Sequence, residues 1–275
     1  MALSNRITFA VIIGVDGANP NGNPMDDNRP RVGFDGLGEI TAVCIKRKIR
    51  DRWQEKGGSI FVQSDRNNAD GCKSLKDRAT KNILRKGMTP KEIADAACAK
   101  YDDVRAFGAV MPYKGDDNKK EDSISVGIVG PVSIRLAKSV TPVNVITTQI
   151  TKSVNGVDTS DGKKSSDTIG SQHRVDNTTY VFWGEMNPQY AEKTGFSEDD
   201  MKVIKEILPK LFINDASEAR PAGTMWVKNI LWWDHGCKEG KCSTRKIIDS
   251  LTVNGDGSFE IADITGLEPE IIEGF

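Results

Sequence analysis

Arg6 to Val15 reads RITFAVIIGV, an unbroken β-branched and aromatic run that stops at the cluster ANPNGNP of Ala18 to Pro24. A run this short, closed by Gly, Asn and Pro, reads as a buried first strand followed by a loop. Outward from it, Glu39 to Gln54 places Ala42, Ile45, Ile49 and Trp53 on one face at 3.6-residue spacing, with Lys46, Arg47 and Arg50 on an adjoining stripe. That is a helix with one side for a sheet and another free to meet an anion. A short strand is expected at Ser59 to Gln63. After the polar loop SDRNNADG, helices are expected at Lys73 to Arg85 and Lys91 to Lys100, the second opened by Thr89 and Pro90 as cap and first-turn proline.

Beyond the charged loop KGDDNKKED, Ser123 to Arg135 reads as a strand broken by Gly127, Gly130 and Pro131. Val143 to Thr151 and Thr178 to Glu185 are strand-like, and the stretch between them, Asn155 to Gln172, is rich in Gly, Ser and Asp. Two such arms around a polar tip predict a projecting β-hairpin. Ser197 to Phe212 carries the acidic start of a helix, and Thr224 to Trp233 makes a last strand. The order is that of an α+β, ferredoxin-like or RRM-like core with a large insertion.

The chain has 275 residues, 38 Lys and Arg against 39 Asp and Glu, and a net charge of −1. That total argues against simple electrostatic attraction to nucleic acid, but the charge is uneven. Arg29 to Arg50 holds six bases (Arg29, Arg31, Lys46, Arg47, Lys48, Arg50) against Asp35 and Glu39. Pro131 to Val157 holds Arg135, Lys138 and Lys152 with no acid, while Gly255 to Phe275 holds acids and no base. The acidic end is expected to be a solvated tail. No apolar stretch is long enough to span a bilayer, so a cytoplasmic protein is expected. Five scattered cysteines point to reduced thiols rather than a disulfide framework.

Catalytic patterns are thin. ANPNGNP lacks the Lys-Ser/Thr of a phosphate loop, and its prolines remove amide donors. Asp234, His235, Cys237 and Cys242 have zinc-ligand chemistry without a zinc spacing, so neither a metal nor a cofactor is expected. His173, beside Arg174, is as suited to stacking or phosphate contact as to proton transfer. The stripe of Lys46, Arg47 and Arg50 has the ordinary reading of a solvated helix face; Arg29 and Arg31 in the preceding loop favour a phosphate track instead.

Taken in order, ANPNGNP, NRPR (Asn28 to Arg31), TAVCIKRKIR (Thr41 to Arg50), GIVGPVSI (Gly127 to Ile134), ITTQITKS (Ile146 to Ser153), TIGSQHRV (Thr168 to Val175) and YVFWGEMNP (Tyr180 to Pro188) resemble the type I-C CRISPR-associated backbone protein of Cascade. That protein belongs to the repeat-associated RNA-binding superfamily. Asn23 and Ala42 stand where that family usually has aspartate. The resemblance implies an RRM-like palm (1–63, 123–138 and 179–275, the last with the acidic tail), helical fingers (64–122) and a β-hairpin thumb (139–178). It implies guide RNA (crRNA), further copies in a helical filament, other type I-C Cascade subunits and, through guide pairing, target DNA as partners. Arg29, Arg31, Lys46, Arg47 and Arg50 would then hold phosphates from the palm, and Gln149, Lys152, His173 and Arg174 would grip the strand from the thumb. No catalytic residue is expected. The competing reading is an RNA-cleaving backbone subunit of the type III kind, using Asp26, Asp27 or Asp35.

Overall fold

In the computed structural model, which describes residues 1–114, 123–151 and 169–275 (side chains of 112–125 excepted), every residue of β1 (Ile7–Val15) is buried. The missing polar alternation follows from its place at the centre of a sheet covered on both faces. Phe9, Val11 and Ile13 point into the larger core, while Ala10 and Ile12 point into a second core on the opposite face.

The chain leaves β1 through a miniature hairpin, β2 (Gly22–Asn23) and β3 (Arg29–Pro30), and reaches an edge strand, β4 (Leu37–Ile40). Helix α1 (Ala42–Glu55) follows. Glu39 therefore belongs to β4, not to the expected helix, because its amide donates to the Arg31 carbonyl; Thr41 is the true N-cap and accepts from the Cys44 amide. Ile45, Ile49 and Trp53 are buried against the sheet on the anticipated face.

Next comes a lobe with its own core, centred on Phe61, Ile93, Ala97, Tyr101, Val104 and Met111. It holds α2 (Leu75–Asn82), α3 (Pro90–Lys100), α4 (Asp102–Phe107) and a hairpin, β5 (Gly108–Lys114) with β6 (Ser123–Val129). Thr89 and Glu92 form a capping box on α3. Ser59 to Gln63 is not a strand. The Phe61 and Val62 amides donate to Asp103 at 2.6 and 3.2 Å and the Ser59 amide to Asp102 at 2.8 Å, so side chains satisfy a backbone that a ladder would otherwise need. Residues 123–129 also depart from expectation, pairing within the lobe rather than joining the main sheet. The crossing back is tight: a Cβ at Gly130 would lie 2.3 Å from the Ala106 carbonyl oxygen.

The chain re-enters the main sheet at β7 (Val132–Ile134) and β8 (Ala137–Pro142). It then leaves as a separate two-stranded ribbon, β9 (Val145–Thr151) with β10 (Ile169–Val175), and returns along β11 (Thr178–Met186). Helices α5 (Pro188–Thr194) and α6 (Glu198–Ile207) lead to β12 (Met225–Asp234). The result is a seven-stranded antiparallel sheet, with β7 beside β11 and an edge strand, β15 (Glu270–Glu273), next to β12 in the path β15-β12-β1-β11-β8-β4. It is a mixed α/β fold with one main antiparallel sheet and several helices. Ile204, Ile207 and Leu208 share the α1 face of the sheet.

The acidic C-terminal stretch is not a solvated tail. Helix α7 (Thr244–Ser250) and the hairpin β13 (Leu251–Val253) with β14 (Phe259–Ile261) lead into Ile264 and Leu267, which are buried with Ile247 against Ala10, Ile12, Leu231 and Trp233. Its acids sit between apolar anchors, and Glu270 pairs with Lys205 at 2.7 Å. Among the described residues no helix is long and apolar enough to cross a membrane.

Candidate nucleic-acid interface

The second face of the sheet is covered where an open sheet would offer its aromatic rings. Trp183 and Trp233 stack on each other with centroids 5.8 Å apart, and Trp233 is fully buried beneath the C-terminal segment. The exposed polar surface lies at one end of the sheet instead, where the β2–β3 turn meets the base of the β9–β10 ribbon.

The asparagines of ANPNGNP build that turn. Asn19 Nδ2 donates to the Asn28 carbonyl at 2.7 Å, and Asn21 Oδ1 accepts from both the amide and the hydroxyl of Thr41 at 2.9 Å. The loop is thereby locked to the first turn of α1. Asp27 and Asn28 take left-handed backbone conformations (φ 44° and 57°), and a Cβ at Gly22 would strike Asn28 Oδ1 at 2.2 Å. Strand β3 lies against β10, where Ala18 bridges Val175 and the His173 ring joins the two parts. His173 Nε2 is 3.2 Å from Asp27 Oδ2 and Nδ1 is 2.9 Å from Thr147 Oγ1, with the ring itself buried.

The basic residues divide into two groups instead of one. Arg31 lies on the Cys44 side of α1 with Lys48 and Arg220; burial raises the Cys44 thiol, and these three cations partly offset that rise. Arg31 Nε is buried without a hydrogen-bond acceptor among the described residues. Lys48 pairs with Asp215, which also accepts from Arg220 at 3.1 Å. Arg29 is half-buried at the turn. On the other side of the helix, Lys46 and Arg50 lie over the Phe107 ring at 5.2 and 5.1 Å. Burial, and then the neighbouring Arg50, lowers the Lys46 ammonium from its ordinary value.

Arg50 and Arg47 are occupied internally. Arg50 Nε donates to Asp103 at 2.7 Å, and Arg47 donates to the Val62 carbonyl at 2.5 Å with Asp51 3.3 Å away. Both tie α1 to the helical lobe. On the ribbon, Gln149 is exposed and shares a face with His173, whereas Arg174, opposite Ile146 in the register, projects from the other face. Lys152 lies outside the described residues, as does most of the polar tip. Spacing did not single out Arg220 or Phe107, and Asp27 is named from sequence only as a candidate aspartate of the competing RNA-cleaving reading.

Of the residues with zinc-ligand chemistry, His235 is committed otherwise: its Nδ1 accepts from the Lys241 amide at 3.0 Å and its Nε2 lies 3.2 Å from Thr8 Oγ1. No group of three or more potential metal ligands occurs among the described residues. Of the loop aspartates, Asp35 pairs with Lys138 at 2.7 Å, which lowers its carboxyl from the ordinary value, and Asp27 faces His173.

The family model for CRISPR-associated protein Cas7 matches residues 5–267. The chain belongs to this family. A Cas7 protein of Haloferax volcanii is 26% identical over 239 residues, covering 81% of this chain and 68% of that one. Among solved structures, a chain of a CRISPR RNA-guided surveillance complex in a pre-nicking state has a TM-score of 0.48 at 12% identity, over 83% of this chain and 78% of that chain. A chain of another CRISPR RNA-guided surveillance complex has a TM-score of 0.48 at 13% identity, over 92% and 77%. A chain of the type III-B Cmr-beta complex bound to cognate target RNA has 0.45 at 11%, over 83% and 61%. For this Cas7 chain, the turn Ala18 to Arg31 and the ribbon base are the parts of the surface where sequence motif and geometry coincide.

Proposed function

We propose that this Cas7 chain coats a guide RNA (crRNA) as the repeated backbone subunit of a type I-C Cascade surveillance complex, in the cytoplasm, holding the guide for pairing with target DNA in antiviral defence. It binds RNA and does not cut it. The main sheet serves as an RRM-like palm: its strands β12-β1-β11-β7 run antiparallel with α1 between β1 and β7 and α5 and α6 between β11 and β12, which supports the split βαβ reading. The helical lobe serves as fingers and the β9–β10 ribbon as thumb. Successive copies stack head to tail into a helical filament.

The observation that carries the reading is the seating of the β2–β3 turn, with Arg29 and Arg31, against the ribbon base at Asp27 and His173. A turn that carries two arginines beside a projecting arm is suited to following a sugar-phosphate backbone while leaving the base edges to a complementary strand. We place phosphates on Arg29 and Arg31, with Arg220 behind them and Lys46 at the edge of the track. Gln149 faces the strand from the thumb, and the buried His173 holds the ribbon base to the turn. Arg47 and Arg50 act indirectly by fixing α1.

Purification from the host tests this: the protein should carry RNA of uniform length, and the free chain should bind unrelated single-stranded RNAs alike, with affinity falling steeply in salt. RNA should stay intact with magnesium present. Strong preference for one sequence, or cleavage lost on replacing Asp26, Asp27 or Asp35, would favour the type III reading.

A further inference from the structure

Phe34, in the turn before β4, is fully exposed and belongs to none of the hydrophobic cores of the described residues. Two acids and one base line the hollow beside this knob: Asp35 and Glu39 share Lys138 at 2.7 and 4.0 Å, which leaves one negative charge in excess. Val32, which lines the same hollow, is exposed as well. An acidic rim disfavours a polyanion as the partner of Phe34 and favours a protein surface of opposite sign.

A surface of that kind lies at the other edge of the same sheet. A cavity of about 270 Å³ opens beside the start of β12, walled by Phe212, Met225, Trp226 and Phe275, with Ala222 and Lys210 at its rim. Asp215, the acid at this cavity, is already paired with Lys48 and Arg220, so Lys210 sets the sign of the rim. Strands β4 and β12 are four strand spacings apart in the sheet, roughly 19 Å.

We infer that Phe34 of one copy seats in the β12-edge cavity of a second copy. The two surfaces differ and lie on opposite edges, so the contact is heterologous and each copy keeps a free knob and a free cavity; the contact repeats without closing. The inference rests on the head-to-tail stacking proposed above and supplies it with a protein contact that needs no RNA.

The test uses the full chain with Phe34→Asp, which removes the knob, and Ala222→Trp, which fills the cavity; both sites are exposed, so neither change touches a core. On an RNA long enough for several copies, each variant alone should bind as isolated copies, with the cooperativity factor reduced roughly 10- to 100-fold, the worth of burying one Phe side chain. Mixed in equal amounts, they should form pairs and nothing longer, because one keeps the knob and the other the cavity. Sedimentation of the mixture without RNA should show the same pairs. Wild-type cooperativity in either variant, or a mixture that behaves as its separate parts, would overturn the contact. So would weaker binding of Phe34→Asp to an RNA that holds only one copy, which would give Phe34 to a base. If the wild-type chain binds no RNA at all, the guide-binding reading fails, while pairing of the two variants without RNA still decides this one.

Discussion

Arg50 Nε donates to Asp103 Oδ2 at 2.7 Å, and the same carboxylate accepts the amides of Phe61 and Val62. A residue chosen from its helix stripe as a phosphate contact thus joins the sheet-packed helix α1 to the helical lobe. Asp103 is fully buried, so removing either partner leaves the other desolvated and uncompensated. Asp103→Ala should lower stability by about 3 kcal/mol, within the range for breaking a buried pair, and Arg50→Ala should follow it in direction. Urea unfolding measures both. Changes within a few tenths of a kcal/mol, the range of surface substitutions, would return Arg50 to a solvated role.

The remaining cations behave differently. Arg31→Ala and Lys46→Ala should leave the urea midpoint nearly unchanged, yet weaken RNA binding for all sequences alike. Each lost phosphate contact should flatten the slope of log K against log salt by about 0.7, the value for single strands. Arg31 should show the larger loss, because it lies on the turn itself, whereas Lys46 stands at the edge of the track and already rests on the Phe107 ring. Equal slopes for wild type and Arg31→Ala would remove the turn from the RNA track.

How far the sequence could be read follows from the range of the forces involved. The first strand and the inner face of α1 were legible because burial of Ile7 to Val15 is written in an unbroken local run and that of Ile45, Ile49 and Trp53 in local periodicity. Ser59 to Gln63 was not, because its amides find Asp103, which lies 42 residues from Phe61. Spacing alone could not separate Arg50 from Lys46 for the same reason. The C-terminal acids concealed Ile264 and Leu267, two isolated anchors without a period. Arg174 was grouped with His173 as its neighbour in sequence, although alternation along β10 sends the two to opposite faces.

Gly184 sits in the motif YVFWGEMNP for a reason that packing supplies. A Cβ there would lie 2.1 Å from Phe9 Cζ, and Phe9 is wedged against Trp232 at 5.3 Å, so the ring has no free direction in which to retreat. Gly184→Ala should destabilise the chain by about 1–3 kcal/mol, as overpacked cores do. Thermal unfolding followed by near-ultraviolet circular dichroism reads both the loss and the disturbed aromatic environment; an unchanged spectrum and midpoint would mean that Phe9 yields freely.

The His173 link between ribbon and turn makes a local prediction. His173→Ala should loosen the ribbon base without unfolding the sheet, because Thr147 and Asp27 lose their shared partner while both cores keep their residues. Hydrogen exchange should quicken in Val145–Thr151 and Ile169–Val175 and stay slow in Ile7–Val15. Uniformly faster exchange would show that the ring supports the whole fold, and no change would show that the Ala18 bridge to Val175 and the Gln172 bond to Glu218 hold the ribbon without it.

His235 gives the chain a dependence on pH whose sign can be worked out. Its ring is fully buried, and because Nδ1 accepts the Lys241 amide, the proton of the neutral ring sits on Nε2 and is donated to Thr8 Oγ1. Burial, followed by the nearby Arg6, lowers the imidazole below its ordinary value of 6.5, with Glu185 and Asp234 opposing. The unfolded chain therefore takes up a proton near pH 6.5 that the folded chain refuses until lower pH. Between those two values the unfolded state holds more protons, and stability rises with pH. The contribution is complete above about pH 6.5 and is lost progressively as the pH falls from there toward the folded-state value. Between about pH 7.5 and about pH 5.5 the urea midpoint should drop further for wild type than for His235→Gln, which lacks the buried imidazole at this position. The carboxylates and His173 are common to both chains, so the difference between the two drops isolates the His235 ring. Equal drops would mean that the folded protein admits the proton as readily as the unfolded one, and that the bond from the Lys241 amide does not hold the ring neutral.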